Sequence, residues 1–161
     1  EVCQAANDND PSQVVVSGHK GAVERAIEIA KVAGAKRAVL LPVSAPFHSE
    51  LMAPASLEMK DALSNISIVE PVIPLVSNVK ALAVTLPDEI RSLLVEQVTG
   101  VVRWRESIEW MVRNGVTEMW EIGAGRALSG MVRRINRSIS CLSISMPEEV
   151  KKAIISQSET I

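Results

Sequence analysis

The chain has 161 residues, 47% hydrophobic and 22% charged, the balance of one soluble globular domain long enough to bury a core. Seventeen basic against 19 acidic residues leave a formal net charge of −2, which gives no electrostatic reason to expect a nucleic-acid partner. No apolar run approaches the roughly 20 residues of a membrane span, and Glu1-Val2-Cys3-Gln4 lacks a signal pattern, so a cytoplasmic protein with reduced, unpaired Cys3 and Cys141 is expected.

Gln13 to Val16 is a β-branched run closed by Ser17-Gly18 and predicts a strand followed by a turn. From Gly21 to Ala33, the residues Val23, Ala26, Ile27, Ala30 and Ala33 recur at helical steps, with Gly34 where a left-handed cap is wanted. Ala38 to Val43 is a nearly continuous apolar run of strand length, so the chain up to Val43 reads as strand, helix, strand. His48 then stands at a strand-to-helix junction. Behind it a helix runs from Glu50 to about Leu63, with Pro54 tolerated in its first turns. Val72 to Val76 reads as a strand that Pro74 confines to an edge or a bulge, and Ser77-Asn78 follows as a turn. Thr85, Pro87 and Asp88 open a helix through Ile90, Leu93, Leu94 and Val98 towards Gly100, ending beside Gln97. Trp104, Ile108, Met111 and Val112 mark another, stopped at Asn114-Gly115. Thr117 to Ile122, the turn Gly123-Ala124-Gly125 and a helix from Arg126 to Ile135 make a further α/β step, followed by a strand Ile139 to Ile144 and a helix from Pro147. The fold class is α/β.

Ahead of a helix, His48 has the chemistry of a base, because an imidazole both takes and returns a proton near neutral pH. No nucleophile to partner it is evident: nothing reads Gly-x-Ser-x-Gly, and neither cysteine has an active-site context. Phe47, the sole Phe of the chain, reads equally as a pocket wall and as a core residue. Gly123 and Gly125 resemble the opening of a dinucleotide fingerprint, but Leu128 occupies the third glycine position and Gly130 falls two residues late, which leaves a packing turn. His19 reads as a surface residue. Arg133, Arg134 and Arg137 form a positive patch, either simply solvated or facing a phosphate or an acidic partner.

Four stretches in fixed order carry more information: Ser44-Ala45-Pro46-Phe47-His48-Ser49-Glu50-Leu51-Met52, then Ser77-Asn78-Val79, then Glu96-Gln97-Val98 with Val102-Arg103-Trp104, then Glu121-Ile122-Gly123-Ala124-Gly125-Arg126-Ala127-Leu128-Ser129-Gly130. From about Asn7 through Ile135 the chain resembles the malonyl-CoA:acyl-carrier-protein transacylases of bacterial fatty acid synthesis, and specifically their C-terminal half. The resemblance implies that residues 1–43 are the latter part of a small ferredoxin-like subdomain. Residues 44–161 are then the C-terminal part of an α/β-hydrolase-like acyltransferase core. It implies a ping-pong transfer of malonyl from malonyl-CoA, through a seryl ester, to the phosphopantetheine thiol of acyl carrier protein, without cofactor or metal. His48 matches the general base and Gln97 the residue whose backbone carbonyl accepts the histidine ring N–H. Asn9 and Asn78 match polar positions near the active site, although both also suit turn chemistry. Phe47 matches the bulky residue that accompanies malonyl over methylmalonyl selection. The nucleophilic serine, the arginine that pairs with the malonate carboxylate and the glutamine of the oxyanion hole belong to the missing N-terminal half, and Arg103, Arg105 and Arg126 do not match that arginine. Two alternatives share these residues: an acyltransferase fragment of a polyketide or multidomain fatty acid synthase, and a non-catalytic remnant that binds a carrier.

Overall fold

A computed structural model describes residues 1–158, which form two compact units, one from Glu1 to Ser107 and one from Ile108 onward. In the first, strands β1 (Cys3–Asp10) and β2 (Gln13–Gly18) make an antiparallel hairpin. Asp10, buried, sets the turn by accepting the Ser12 N–H at 2.9 Å and the Ser12 hydroxyl at 2.6 Å. Strand β1 was absent from the sequence expectation, because a stretch rich in Asn and Asp reads as turn. Tertiary pairing overrides that preference. The Val-rich β2 covers one edge, and on the other the Val102 N–H donates to Ala6 O at 2.8 Å while Val102 O accepts the Asp8 N–H at 2.9 Å. Two register shifts make Ala6 and Asn9 the extra residues of bulges, so Asn9 lies in a strand and not in a turn.

Helix α1 (Lys20–Val32) ends as its glycine foretells: Gly34 takes φ +93°, its N–H reaches Lys31 O at 3.0 Å and the Ala35 N–H reaches Ala30 O at 2.9 Å. The strand expected over Ala38 to Val43 does not form. A strand needs a neighbour to take its backbone N–H and C=O groups, and among the described residues none lies alongside; Leu40 is 54% exposed and Val39, Leu41 and Val43 are exposed with it. His48 therefore follows a loop.

A single 3₁₀ turn, Glu50–Met52, leads into α2 (Ala53–Ser64), which buries no residue completely. The strand expected from Val72 shrinks to β3 (Leu75–Ser77), starting just past Pro74, and pairs antiparallel with β4 (Leu82–Val84), too short to show a period in sequence. Helix α3 (Pro87–Gln97) begins at its proline; Leu86 precedes it and Thr85 donates no cap. Val84, Ile90 and Leu93 form the buried cluster here, with Ile68 and Val79 packed against it. Helix α4 (Trp104–Arg113) starts in this unit.

The second unit holds β5 (Glu118–Ile122), α5 (Ala127–Ile135), β6 (Ser140–Ile144) and α6 (Pro147–Ser158). Strands β5 and β6 pair in parallel, Glu118 opposite Ser140 through Ile122 opposite Ile144, with α5 as the crossover. Val132, Ile139, Ile144 and Ala153, with Ile108 of α4, are buried apolar residues of this unit, and Ser129 is buried among its polar ones. Among the described residues no helix is long and apolar enough to cross a membrane.

Candidate functional site

Ser49, fully buried, donates its hydroxyl to Pro46 O at 2.7 Å, while its own carbonyl accepts the Met52 N–H at 2.9 Å and starts the 3₁₀ turn. The Glu50 N–H adds a bond to the Gln4 side-chain oxygen at 3.2 Å. Between these fixed points His48 takes φ +56°, a left-handed conformation uncommon for a residue with a Cβ and one that histidine tolerates better than most. Strain of this kind persists only where the surroundings over-determine it.

The half-buried ring has a particular acceptor in front of it. The last carbonyls of a helix lack intrahelical partners. At the end of α3 each finds a different one: Val95 O accepts the Val98 N–H and the Ser56 hydroxyl, both at 3.2 Å, and Glu96 O accepts the Gly100 N–H at 2.8 Å. Gln97 O is met by His48 Nδ1 at 3.0 Å. Gly100 permits this tight finish, since a Cβ there would stand 2.9 Å from Glu96 O. An Nδ1–H that donates to Gln97 O leaves Nε2 with its lone pair, ready to take a proton. The Gln97 amide nitrogen, 3.3 Å from the same Nδ1, can donate only to the opposite tautomer. The shorter carbonyl contact favours the first arrangement.

Of the residues singled out in the sequence, His48 and Gln97 come together. Phe47 is 50% exposed, which removes the core reading for it in this unit. Asn78 sits in the β3–β4 turn, where its carbonyl accepts the Arg103 N–H at 2.9 Å, and Asn9 sits in the β1 bulge. Among the described residues neither amide side chain is hydrogen-bonded, and neither reaches His48 that way. The sequence marks Val102-Arg103-Trp104 as a motif, but not the contacts it makes around both asparagines. Val102 pairs with β1, and the Arg103 guanidinium donates to Val79 O at 3.1 Å and Lys80 O at 3.2 Å; its pair with Glu106 holds it firmly charged. Arg105 forks onto Asp8, with contacts of 3.1, 3.1 and 2.7 Å. The Arg103-to-Glu106 spacing is a legible helix pair; the Arg105–Asp8 pair, remote in sequence, leaves no local signal.

In the second unit Glu121 accepts the Leu128 N–H at 3.0 Å, the Ser129 N–H at 2.8 Å and the Ser129 hydroxyl at 2.5 Å, and these bonds hold its carboxyl below the usual range. The N-terminus of α5 is thus filled by the chain's own carboxylate, where a dinucleotide site would seat a phosphate. Arg133, Arg134, Arg137, Ile139, Ser140 and Cys141 line an open cavity of about 530 Å³, and burial pushes the Cys141 thiol up against the opposing effect of Arg133.

No family model matches the chain. Its sequence is 45% identical over 151 residues to the malonyl CoA-acyl carrier protein transacylase of Bacillus subtilis, covering 94% of this chain and 48% of that protein. To the Escherichia coli K12 enzyme of the same name it is 40% identical over 154 residues, covering 96% and 50%. Among solved structures, the acyl-carrier-protein-S-malonyltransferase of Bartonella henselae aligns with a TM-score of 0.92 at 52% identity, covering 96% of this chain and 49% of that one. A malonyl-transacylase in complex with a type II PKS acyl-carrier protein aligns at 0.93 and 38% identity, covering 96% and 50%. The chain spans about half the length of the relatives it matches, and its mixed α/β fold is the fold of that half. In both sequence and backbone, nearly all of the chain is therefore similar to one half of the malonyl CoA-acyl carrier protein transacylases.

Proposed function

We propose that this chain supplies the general base of a malonyl transfer from malonyl-CoA to the phosphopantetheine thiol of acyl carrier protein, and that a serine on a preceding segment of similar length is the nucleophile. The single observation that carries the reading is the His48 Nδ1 contact to Gln97 O at 3.0 Å, in a chain homologous to transacylases. His48 Nε2 takes the serine proton as the oxygen attacks the thioester carbonyl. The C–S bond breaks, the departing thiolate recovers that proton, and a malonyl ester remains. In the second half His48 takes the carrier thiol's proton, the sulfur attacks the ester, and the C–O bond breaks with return of the proton to serine. A carbonyl, not a carboxylate, orients the ring throughout.

Around this centre Asn9 and Asn78 are proposed to contact substrate, and half-exposed Phe47, next to the base, to wall off the malonyl α-carbon. In the whole protein, residues 1–43 complete a ferredoxin-like subdomain and residues 44–161 a hydrolase-like core, in the cytoplasm. The neighbour bound to a type II PKS acyl-carrier protein favours a second reading in which the carrier belongs to polyketide synthesis.

Malonyl transfer by this polypeptide, measured first alone and then with a folded serine-bearing half of a relative, tests the proposal. No transfer alone and turnover on mixing are expected, and the two carrier types, assayed side by side, rank the two readings. Transfer by the chain alone overturns the division of labour. A folded mixture that binds carrier without turnover identifies a non-catalytic remnant instead.

A further inference from the structure

Helix α2 directly follows the His48 turn yet buries no residue completely, so an apolar face does not fix its position against α3. Polar bonds do. One turn into α2, the Ser56 hydroxyl donates to Val95 O at 3.2 Å, two residues before the carbonyl that receives His48 Nδ1. At the far end, Arg91 of α3 donates to Leu63 O, which also accepts the Ile66 N–H at 3.2 Å, and, at 2.8 Å, to Ile66 O. The Ser56 and His48 bonds both land on the last turn of α3, whereas the Arg91 bonds land about two turns further along α2 from Ser56.

We infer that Ser56 is a positioning residue for His48: its hydroxyl sets the register of α2 on α3 and thereby selects the Nδ1–H tautomer that leaves Nε2 free. This rests on His48 being the base. Without Ser56 the start of α2 is free to slide, Gln97 O is met less often, and the opposite tautomer, to which the Gln97 amide can donate, gains population.

The chain carries its own internal reference. His19 Nδ1 accepts the Val2 N–H at 2.8 Å, so its neutral ring is held as the Nε2–H tautomer, opposite to that of His48. Imidazole ¹⁵N shifts of the full 161-residue chain, recorded where both rings are neutral, read both residues in one spectrum. In Ser56→Ala the Nδ1–H to Nε2–H ratio of His48 should fall roughly two- to tenfold, the worth of one net hydrogen bond, with His19 unchanged. Ser56→Thr, which keeps the hydroxyl, should restore it, and Arg91→Lys should leave it near the wild-type value. An unchanged His48 ratio in a folded Ser56→Ala chain overturns the inference, as does failure of Ser56→Thr to restore it. In the chain combined with its serine-bearing half, the loss should appear in kcat with little change in KM. A shifted tautomer without any loss of kcat would instead sink the assignment of His48 as base and leave the positioning intact.

Discussion

A histidine bonded through Nδ1 to a main-chain carbonyl has a partner that no side-chain substitution removes. Replacing Gln97 by Ala keeps its carbonyl and deletes only the amide that can donate to the unproductive tautomer. In the combined enzyme Gln97→Ala should therefore retain turnover within a few-fold, whereas His48→Ala should lose about 10²- to 10⁴-fold, the usual worth of a general base. Equal losses in a single-turnover assay would contradict that division. Beside it, Phe47 presents a large exposed ring. Phe47→Ser should raise methylmalonyl transfer relative to malonyl by the ~1–3 kcal/mol that one methyl group commands, measured as the ratio of the two kcat/KM values. A ratio unmoved by the change would remove Phe47 from selection.

At the scale of elements, helix ends dominate this protein. Glu121 fills the start of α5 and Glu149 accepts the Ser145 and Met146 N–H groups at the start of α6; hydrogen bonding depresses both carboxyls. A carboxyl whose folded-state value is depressed contributes stability that is fully present above the ordinary carboxylate range and is lost as pH falls through its folded value. Hydrogen exchange at the first amides of α5 should accordingly show protection that is flat at neutral pH, after correction for intrinsic rates, and declines only in acid. In Glu121→Gln that protection should be lower at neutral pH and insensitive to acid over the same window. Retention of the wild-type acid dependence by the variant would place its cause elsewhere. Much of this was legible: Gly34 and Gly115 stop helices where expected, and Pro87 and Pro147 start them. Strand β1 was not legible, because its pairing with β2 and its bridge to Val102 impose the extended form on an Asn- and Asp-rich stretch that has little strand preference of its own.

For the whole molecule the same distinction explains what failed. The run Ala38 to Val43 has strand composition, and composition describes what a segment would do beside a partner, not whether the partner is there. In the first unit Val39, Leu40, Leu41, Val43, Val72 and Ile73 are all exposed, a concentration of apolar surface that soluble monomers rarely leave uncovered. Sedimentation of the isolated chain should show concentration-dependent association that the serine-bearing half of a relative suppresses; a monodisperse monomer at all concentrations would count against a covering segment. The candidate site divides along the same line. The His48 turn and the end of α3 were readable as motifs, whereas the bonds that Ser56, Arg91 and Arg103 make to backbone carbonyls and that Arg105 makes to the remote Asp8 carboxylate were not.

The left-handed backbone at His48 has one more consequence, for descent rather than chemistry. Alanine or a β-branched residue at that position would strain the turn by roughly 1–2 kcal/mol in addition to removing the proposed base, whereas asparagine or glycine accepts the conformation. A lineage that abandoned the reaction but kept the fold should thus drift at this site towards Asn or Gly. Those two letters in place of the imidazole would mark its retired members, and Asn is the replacement that removes the proposed base while sparing the turn.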